Sequence, residues 1–240
     1  SLTGVNAVNG GRKNMIINGA MQVAQRGTSA TGKTAAGYYA TDRMNLDIGD
    51  AGTWTVAQES LTSGAAQEAG FSKATRLDCT SADASVAADS YCIFQYLVEA
   101  RDCQNIAKGT SGANTFTVSF WVKSSTTGVY QLNARDHDNS RLCSGTYTVS
   151  SADTWENKSI TFAADTTGVI NNDSGTGIGL EFWLAAGTDF TSGTAPTAWE
   201  ASSDADRAAS LSHQMSSSTS KDWAITGLKM ELGSTATDFP

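Results

Sequence analysis

The sequence predicts an all-β protein, a single antiparallel jelly-roll β-sandwich, and three observations lead there. Apolar and polar residues alternate through several short runs, the period of a strand whose side chains point to opposite faces. Between those runs lie polar, glycine-bearing turns: the 240 residues include 23 Gly and only 2 Pro, a pattern that suits many strands joined by turns. Charged residues are only 17% of the chain, which argues against long helices with solvated faces. A chain of this length can hold two small domains, yet sandwiches routinely use it for one. One domain is therefore expected over residues 12–240, after a lead or linker at 1–11 loosened by Gly4, Gly10 and Gly11. Ser1 in place of Met reads as a processed start or a piece of a longer chain.

Trp54 to Val56 and Tyr91 to Val98 read as early strands. The clearest alternation is Phe116 to Lys123: Phe116, Val118, Phe120 and Val122 share the core face, and Thr117, Ser119, Trp121 and Lys123 share the other. Residues 130–135 repeat it, with Tyr130, Leu132 and Ala134 inward and Gln131, Asn133 and Arg135 outward, and Gly128 between the two runs predicts a hairpin. Tyr147 to Ser150 and Ser159 to Phe162 are further strands, followed by a polar turn at 171–175. In the strand Ile178 to Leu184, Leu180, Phe182 and Leu184 face in, leaving Glu181 and Trp183 out; Trp223 to Met230 is the last strand. Residues 60–70 and 204–215 have weak or helical spacing and read as loops, and the serine-rich run 216–220 reads as a surface loop.

Composition also bounds the partners. A net charge of −8 and a pI near 4.7 disfavour nucleic acid and anionic lipid, whose binding needs clustered Lys and Arg. Neutral glycans and proteins stay open. No apolar run approaches the roughly 20 residues that span a bilayer, and the charged-then-apolar order of a signal peptide is missing, so no membrane insertion is expected. Cys79, Cys92, Cys103 and Cys143 show no CxxC spacing, which predicts free, mostly buried thiols in a reducing cytosol.

Catalytic patterns are scarce. His137 and His213 stand far apart and outside any metal-ligand spacing, so both read as turn residues. The acidic stretch 135–139 lacks the glycine and terminal glutamate of an EF-hand and reads as a hairpin tip. Residues 175–179 lack the lysine of a phosphate loop and read as a β turn, and no GxSxG elbow occurs. The expectation is no catalytic residue, no metal and no cofactor, although a carboxylate pair acting on a glycosidic bond leaves no mark in spacing.

What remains is binding. Sugars stack their C–H faces on aromatic rings and hydrogen-bond to planar polar groups, so a glycan site combines Trp or Tyr with Asn, Gln, Glu or Arg. Trp121 and Lys123, Gln131, Asn133 and Arg135, Glu181 and Trp183, with Gln95 and Glu99, supply that mixture if their strands are neighbours. The alternative is that this face is covered by a chain segment or a second subunit, making the two Trp packing residues and Gln95 and Glu99 a buried polar network. Trp155 reads as a core plug, and Trp199, in the loop 196–200, is the exposed aromatic candidate.

Five stretches also carry a family resemblance. Residues 13–19 (KNMIING) lead into Gln25-Arg26-Gly27-Thr28, residues 39–43 read YATDR, Gln95 and Glu99 form QxxE, residues 116–123 read FTVSFWVK, and 225–237 read ITGLKMELGSTAT. In order and spacing these resemble the domain that ends bacteriophage tail-fibre and receptor-binding proteins, a jelly roll like those of carbohydrate-binding modules. One departure is Met44, where that family usually has Trp. The resemblance implies a non-enzymatic virion protein at a tail-fibre tip, assembled in the host cytoplasm. Its implied partners are two further copies of itself in a homotrimer, other virion proteins and a host-surface glycan. It also implies that the segments near Ile16 and Leu228 pair as neighbouring strands. A capsid decoration or scaffold protein and a glycan-degrading tailspike are the alternatives. The candidate ligand residues are Trp121, Trp183, Gln95, Glu99, Arg135 and Trp199.

Overall fold

The computed structural model describes residues 14–240, so the expected lead at 1–11 and Lys13 of the opening motif lie outside the described residues. The chain runs β1 (Ser29–Lys33), β2 (Gly37–Tyr38), β3 (Met44–Gly49), β4 (Thr53–Ser60), α1 (Ala65–Glu68), β5 (Lys73–Ser81), β6 (Tyr91–Glu99), β7 (Phe116–Ser124), β8 (Gly128–Asp136), β9 (Arg141–Val149), β10 (Glu156–Phe162), β11 (Thr176–Ala186), α2 (Thr188–Thr191), β12 (Glu200–Ala201) and β13 (Asp222–Leu232). Two antiparallel sheets form, β1-β4-β5-β13-β7-β10 and β12-β9-β8-β11-β6-β3-β2, stacked as a jelly-roll sandwich. The first sheet is the one edged by β1 and β10, the second the one edged by β12 and β2.

The alternation read from the sequence places the core between the sheets. Phe120 of the first sheet meets Tyr147 and Phe182 of the second edge-on, each at 5.0 Å, and Trp223 of the first packs 5.3 Å from Phe94 of the second. Each fully buried large apolar side chain stabilises by about 1.5–3 kcal/mol, and edge-on aromatic pairs add about 0.5–1.5. The four cysteines are free and buried.

Four expectations change. Gly128 does not turn a hairpin, because β7 and β8 lie in different sheets; the chain crosses the sandwich there, and the Tyr130 hydroxyl donates to Ser124 Oγ at 2.8 Å across the crossing. Residues 176–179 continue into β11 instead of turning, and Gly177 is glycine because a Cβ would come within 2.8 Å of Ala100 Cα. The segment 60–70 carries the one-turn helix α1 over the outer face of the first sheet. The opening motif docks against β13 without forming a strand.

That docking explains the motif. β13 bulges between Thr226 and Lys229 and pairs with β5 only from Asp222 to Ile225, so beyond Ile225 the backbone groups on its β5 side have no strand partner. Asn14 takes two of them: its Nδ2 donates to Leu228 O at 3.1 Å and its Oδ1 accepts from Met230 N at 3.0 Å. Met15 N donates to Met230 O, and Leu228 N to Gly19 O, each at 2.9 Å. A Cβ on Gly19 would overlap Leu228 O. Asn18 is left-handed at φ 63, a conformation Asn tolerates, and its side chain ties Val23 and Asp42 backbone to the turn.

Both outer faces are partly roofed. Over the first sheet, Lys229 and Glu231 are buried as an ion pair at 2.9 Å, and both hold Thr237 of the C-terminal segment. Over the second, the chain from 187 to 213 packs on β8, β9 and β11: Asn133 Nδ2 donates to Arg207 O at 2.7 Å, Gln131 Nε2 to Asp206 O at 3.0 Å, and Ser144 N to Pro196 O at 2.6 Å.

Candidate glycan-binding face

Strand register aligns one residue from each of six strands across the outer face of the second sheet: Ser144, Asn133, Glu181, Gln95, Asn45 and Tyr38. All are polar. Under the roof they form a closed network: Ser144 Oγ donates to Asn133 Oδ1 at 2.7 Å, and Arg207 donates to Glu181 at 3.0 Å. Burial disfavours the Arg207 charge, but Glu181 and Asp204 more than offset it and hold its pKa above the ordinary guanidinium value. Beyond the roof the row opens. Gln95 is half-buried and its Nε2 donates to Oδ1 of Asn45, itself buried, at 2.8 Å, and Tyr38 ends the row 42% exposed.

The neighbouring row is Leu142, Arg135, Gly179 and Leu97. Gly179 leaves a gap in it, over which the His137 ring sits. Desolvation, then the neighbouring Arg135, lowers the His137 pKa and favours a neutral ring at pH 7. In the row on the other side Asp47 stands opposite Ile93 and Trp183. Burial raises its pKa against the lowering effect of the Tyr91 hydroxyl, which donates at 3.4 Å.

At the open end, Gln25, Arg26, Tyr38, Asp42, Arg43 and Leu97 line a cleft of about 340 Å³. The resembling stretches meet here. Asp42 Oδ1 accepts from Gln25 N at 3.1 Å and from Arg26 at 3.4 Å, joining the opening motif to the YATDR stretch. Arg43 reaches Glu99 of QxxE at 3.5 Å. Arg43 has φ 71 and Ala40 φ 45, so this corner stores backbone strain.

The sequence candidates separate accordingly. Gln95, Glu99 and Arg135 share this face; Glu99 is paired with Arg43 and with Arg101 at 3.2 Å, and Arg135 with Glu181 at 3.5 Å. Trp183 shares it too but is wholly buried beneath Arg207, Tyr91 and Phe190, with no surface for a ligand. Trp121 and Lys123 lie on the other sheet, so the single face containing both Trp does not exist. There Trp121 is half-buried beside Trp155 and lines a separate cleft with Phe71, Asn157 and Phe239. Trp155 plugs this outer cluster, not the main core. Trp199 is no exposed platform: its Nε1 donates to Ala163 O at 2.8 Å, it packs on the core, and Lys108 Nζ sits 4.9 Å over its ring. Sequence reasoning missed Tyr38, Asn45 and Leu97. Arg26 and Arg43 were marked only as parts of the resembling stretches. Among the described residues no three His, Cys, Asp or Glu side chains are placed to hold a metal ion, and no helix is long and apolar enough to cross a membrane.

Comparison with known proteins gives structural likeness only. No protein-family model matches the chain, and no curated protein matches it. Among solved structures, a family 4 carbohydrate-binding module is 11% identical with a TM-score of 0.42, over 91% of this chain and 99% of that one. The family 11 carbohydrate-binding module of Clostridium thermocellum, solved with a β-1,3-1,4-mixed-linked tetrasaccharide, is 10% identical with a TM-score of 0.38, over 85% of this chain and 95% of that one. The enzymatically active domain of tailspike protein 4 from bacteriophage CBA120 is 12% identical with a TM-score of 0.40, over 92% of this chain. This chain spans 22% of the length of that domain's solved chain.

Proposed function

We propose that this protein is a non-enzymatic glycan-binding domain, and that its ligand lies along the open half of the second sheet. One observation carries the reading: half-buried Gln95, braced by the buried amide of Asn45, leads from under the roof to an exposed Tyr38 and a cleft of about 340 Å³. Amides placed beside an aromatic face on a rigid sheet are what sugar hydroxyls and C–H faces require. The sheet fixes their spacing, so little is spent on ordering them when a ligand arrives.

The biological setting we propose is the tip of a phage tail fibre, assembled in the host cytoplasm as a homotrimer, with host-surface glycan and other virion proteins as partners. The support is the resemblance of the five sequence stretches, which meet in the fold: the opening motif and FTVSFWVK on β13, and the QRGT end of the opening motif with YATDR and QxxE at the cleft. Screening wild type, Tyr38→Ala and Gln95→Ala on a glycan array tests the function. Glycan binding lost in both variants at unchanged melting temperature supports it; binding that survives both removes this face. Electron microscopy of the particle and light scattering of the purified domain test location and trimer.

A further inference from the structure

The chain as a whole carries −8, yet the balance reverses at the cleft, where Arg26 and Arg43 face a single lining carboxylate, Asp42. Their side chains are 58% and 46% exposed. Among the described residues each makes one long ionic contact, Arg26 to Asp42 at 3.4 Å and Arg43 to Glu99 at 3.5 Å. Charge-assisted bonds normally run about 2.7–2.9 Å. The carboxylates are better occupied than the guanidiniums: Asp42 is 15% exposed and already accepts from Gln25 N, and Glu99 is shared with Arg101 at 3.2 Å. A guanidinium has five N–H donors, so among the described residues most of those on both arginines have no partner, beside the exposed Tyr38 ring. A planar fork of donors meets both oxygens of a carboxylate at once, whereas a hydroxyl engages one arm of it.

We propose, resting on the glycan-binding reading above, that this cleft selects glycans bearing carboxylates, the class that includes hexuronates and sialates. Arg26 and Arg43 receive the carboxylate and Tyr38 packs on the sugar ring. The ligand's charge is then read by two side chains against the repulsion of the whole chain, so binding is strongest where salt screens that long-range repulsion without weakening the close contacts.

Calorimetric titration decides, using an oligogalacturonate, a sialylated oligosaccharide and the neutral oligogalactoside that matches the oligogalacturonate in linkage and length. The probes are run against wild type, Arg26→Gln, Arg43→Gln and Tyr38→Ala. The expected result is binding of at least one carboxylated probe, about tenfold or more over the neutral one, falling about tenfold or more in each arginine variant. Circular dichroism of the variants, whose changes lie at exposed positions, verifies folding. Equal binding of neutral and carboxylated probes, or arginine variants that bind like wild type, overturns the proposal; if Tyr38→Ala still loses binding, the glycan reading stands without it. No binding of either carboxylated probe also overturns it. If a wider neutral panel binds nothing either, the glycan reading falls as well.

Discussion

Arg207 donates from Nη2 to Glu181 Oε1 at 3.0 Å while its guanidinium lies 5.0 Å over the Trp183 ring. One side chain thus neutralises a carboxylate that is 1% exposed and closes a tryptophan off from solvent. Arg207→Met should cost about 3–5 kcal/mol, because it leaves Glu181 buried with two long contacts, Arg135 at 3.5 Å and the Asn133 amide at 3.4 Å. Trp183→Ala should cost about the same through the cavity it leaves. Urea unfolding measures both, and losses under about 1 kcal/mol would show that neither side chain is a packing residue.

Lys108 is a second buried charge. Its Nζ contacts Asp136 at 2.5 Å and Asp165 at 2.9 Å and donates to the carbonyls of Thr167 and Gly168. Asp165 also accepts from Arg141 at 2.7 Å; burial raises its pKa, but these donors outweigh burial and lower it overall. Lys108→Met should destabilise by about 3–5 kcal/mol, and adding Asp136→Asn should recover part of that by removing the stranded charge. A double-mutant cycle in urea reads the coupling. Simple additivity would show that the two do not interact.

Stability should fall with acid partly through His213. Burial, then Lys221, pushes its pKa down to about 4, against about 6.5 in the unfolded chain. The unfolded state therefore binds more protons between those values, so stability is complete above pH 6.5 and declines as pH falls toward 4. The ring packs edge-on to Tyr130 at 4.1 Å, so His213→Phe keeps an aromatic there. That variant should show a flatter stability profile between pH 4 and 6.5. An NMR titration midpoint for His213 near 6.5 would refute the assignment.

Gly19 sits where a Cβ would overlap Leu228 O. Gly19→Ala should therefore push the opening turn off the β13 bulge and cost at least about 1–3 kcal/mol, the usual range for overpacking. Asn14→Ala tests the same joint from the other side by stranding Met230 N–H. Thermal melts with both variants at wild-type values would show that the motif is not docked as described.

Tyr38→Ala should leave stability within about 0.5 kcal/mol of wild type, since the side chain is 42% exposed. Its effect should appear in glycan titration alone. A large stability loss would reassign Tyr38 to packing.

Period-2 alternation determined the strands and their inward faces. Phe116, Val118, Phe120, Val122, Leu180, Phe182 and Leu184 are all core, because a strand's side-chain period is a local property of the backbone. The same alternation named the outward residues without saying which sheet they faced from. Trp121 and Trp183 both pointed out in the sequence, and they lie on opposite sides of the sandwich. Gly128 looked like a hairpin turn, but whether a short connection turns back or crosses to the facing sheet depends on which strand the next one pairs with. Burial of the outward face was settled by the segment 187–213, whose main-chain groups bind Gln131 and Asn133 from far along the chain. Gln95 and Glu99 were legible as a motif, whereas Tyr38, on a two-residue strand with no periodicity, became a site candidate only through its register with Asn45. Sequence spacing determines which face of its own strand a residue occupies; strand pairing between distant segments decides its neighbours and what covers them, and that pairing follows from burying both sheets at once.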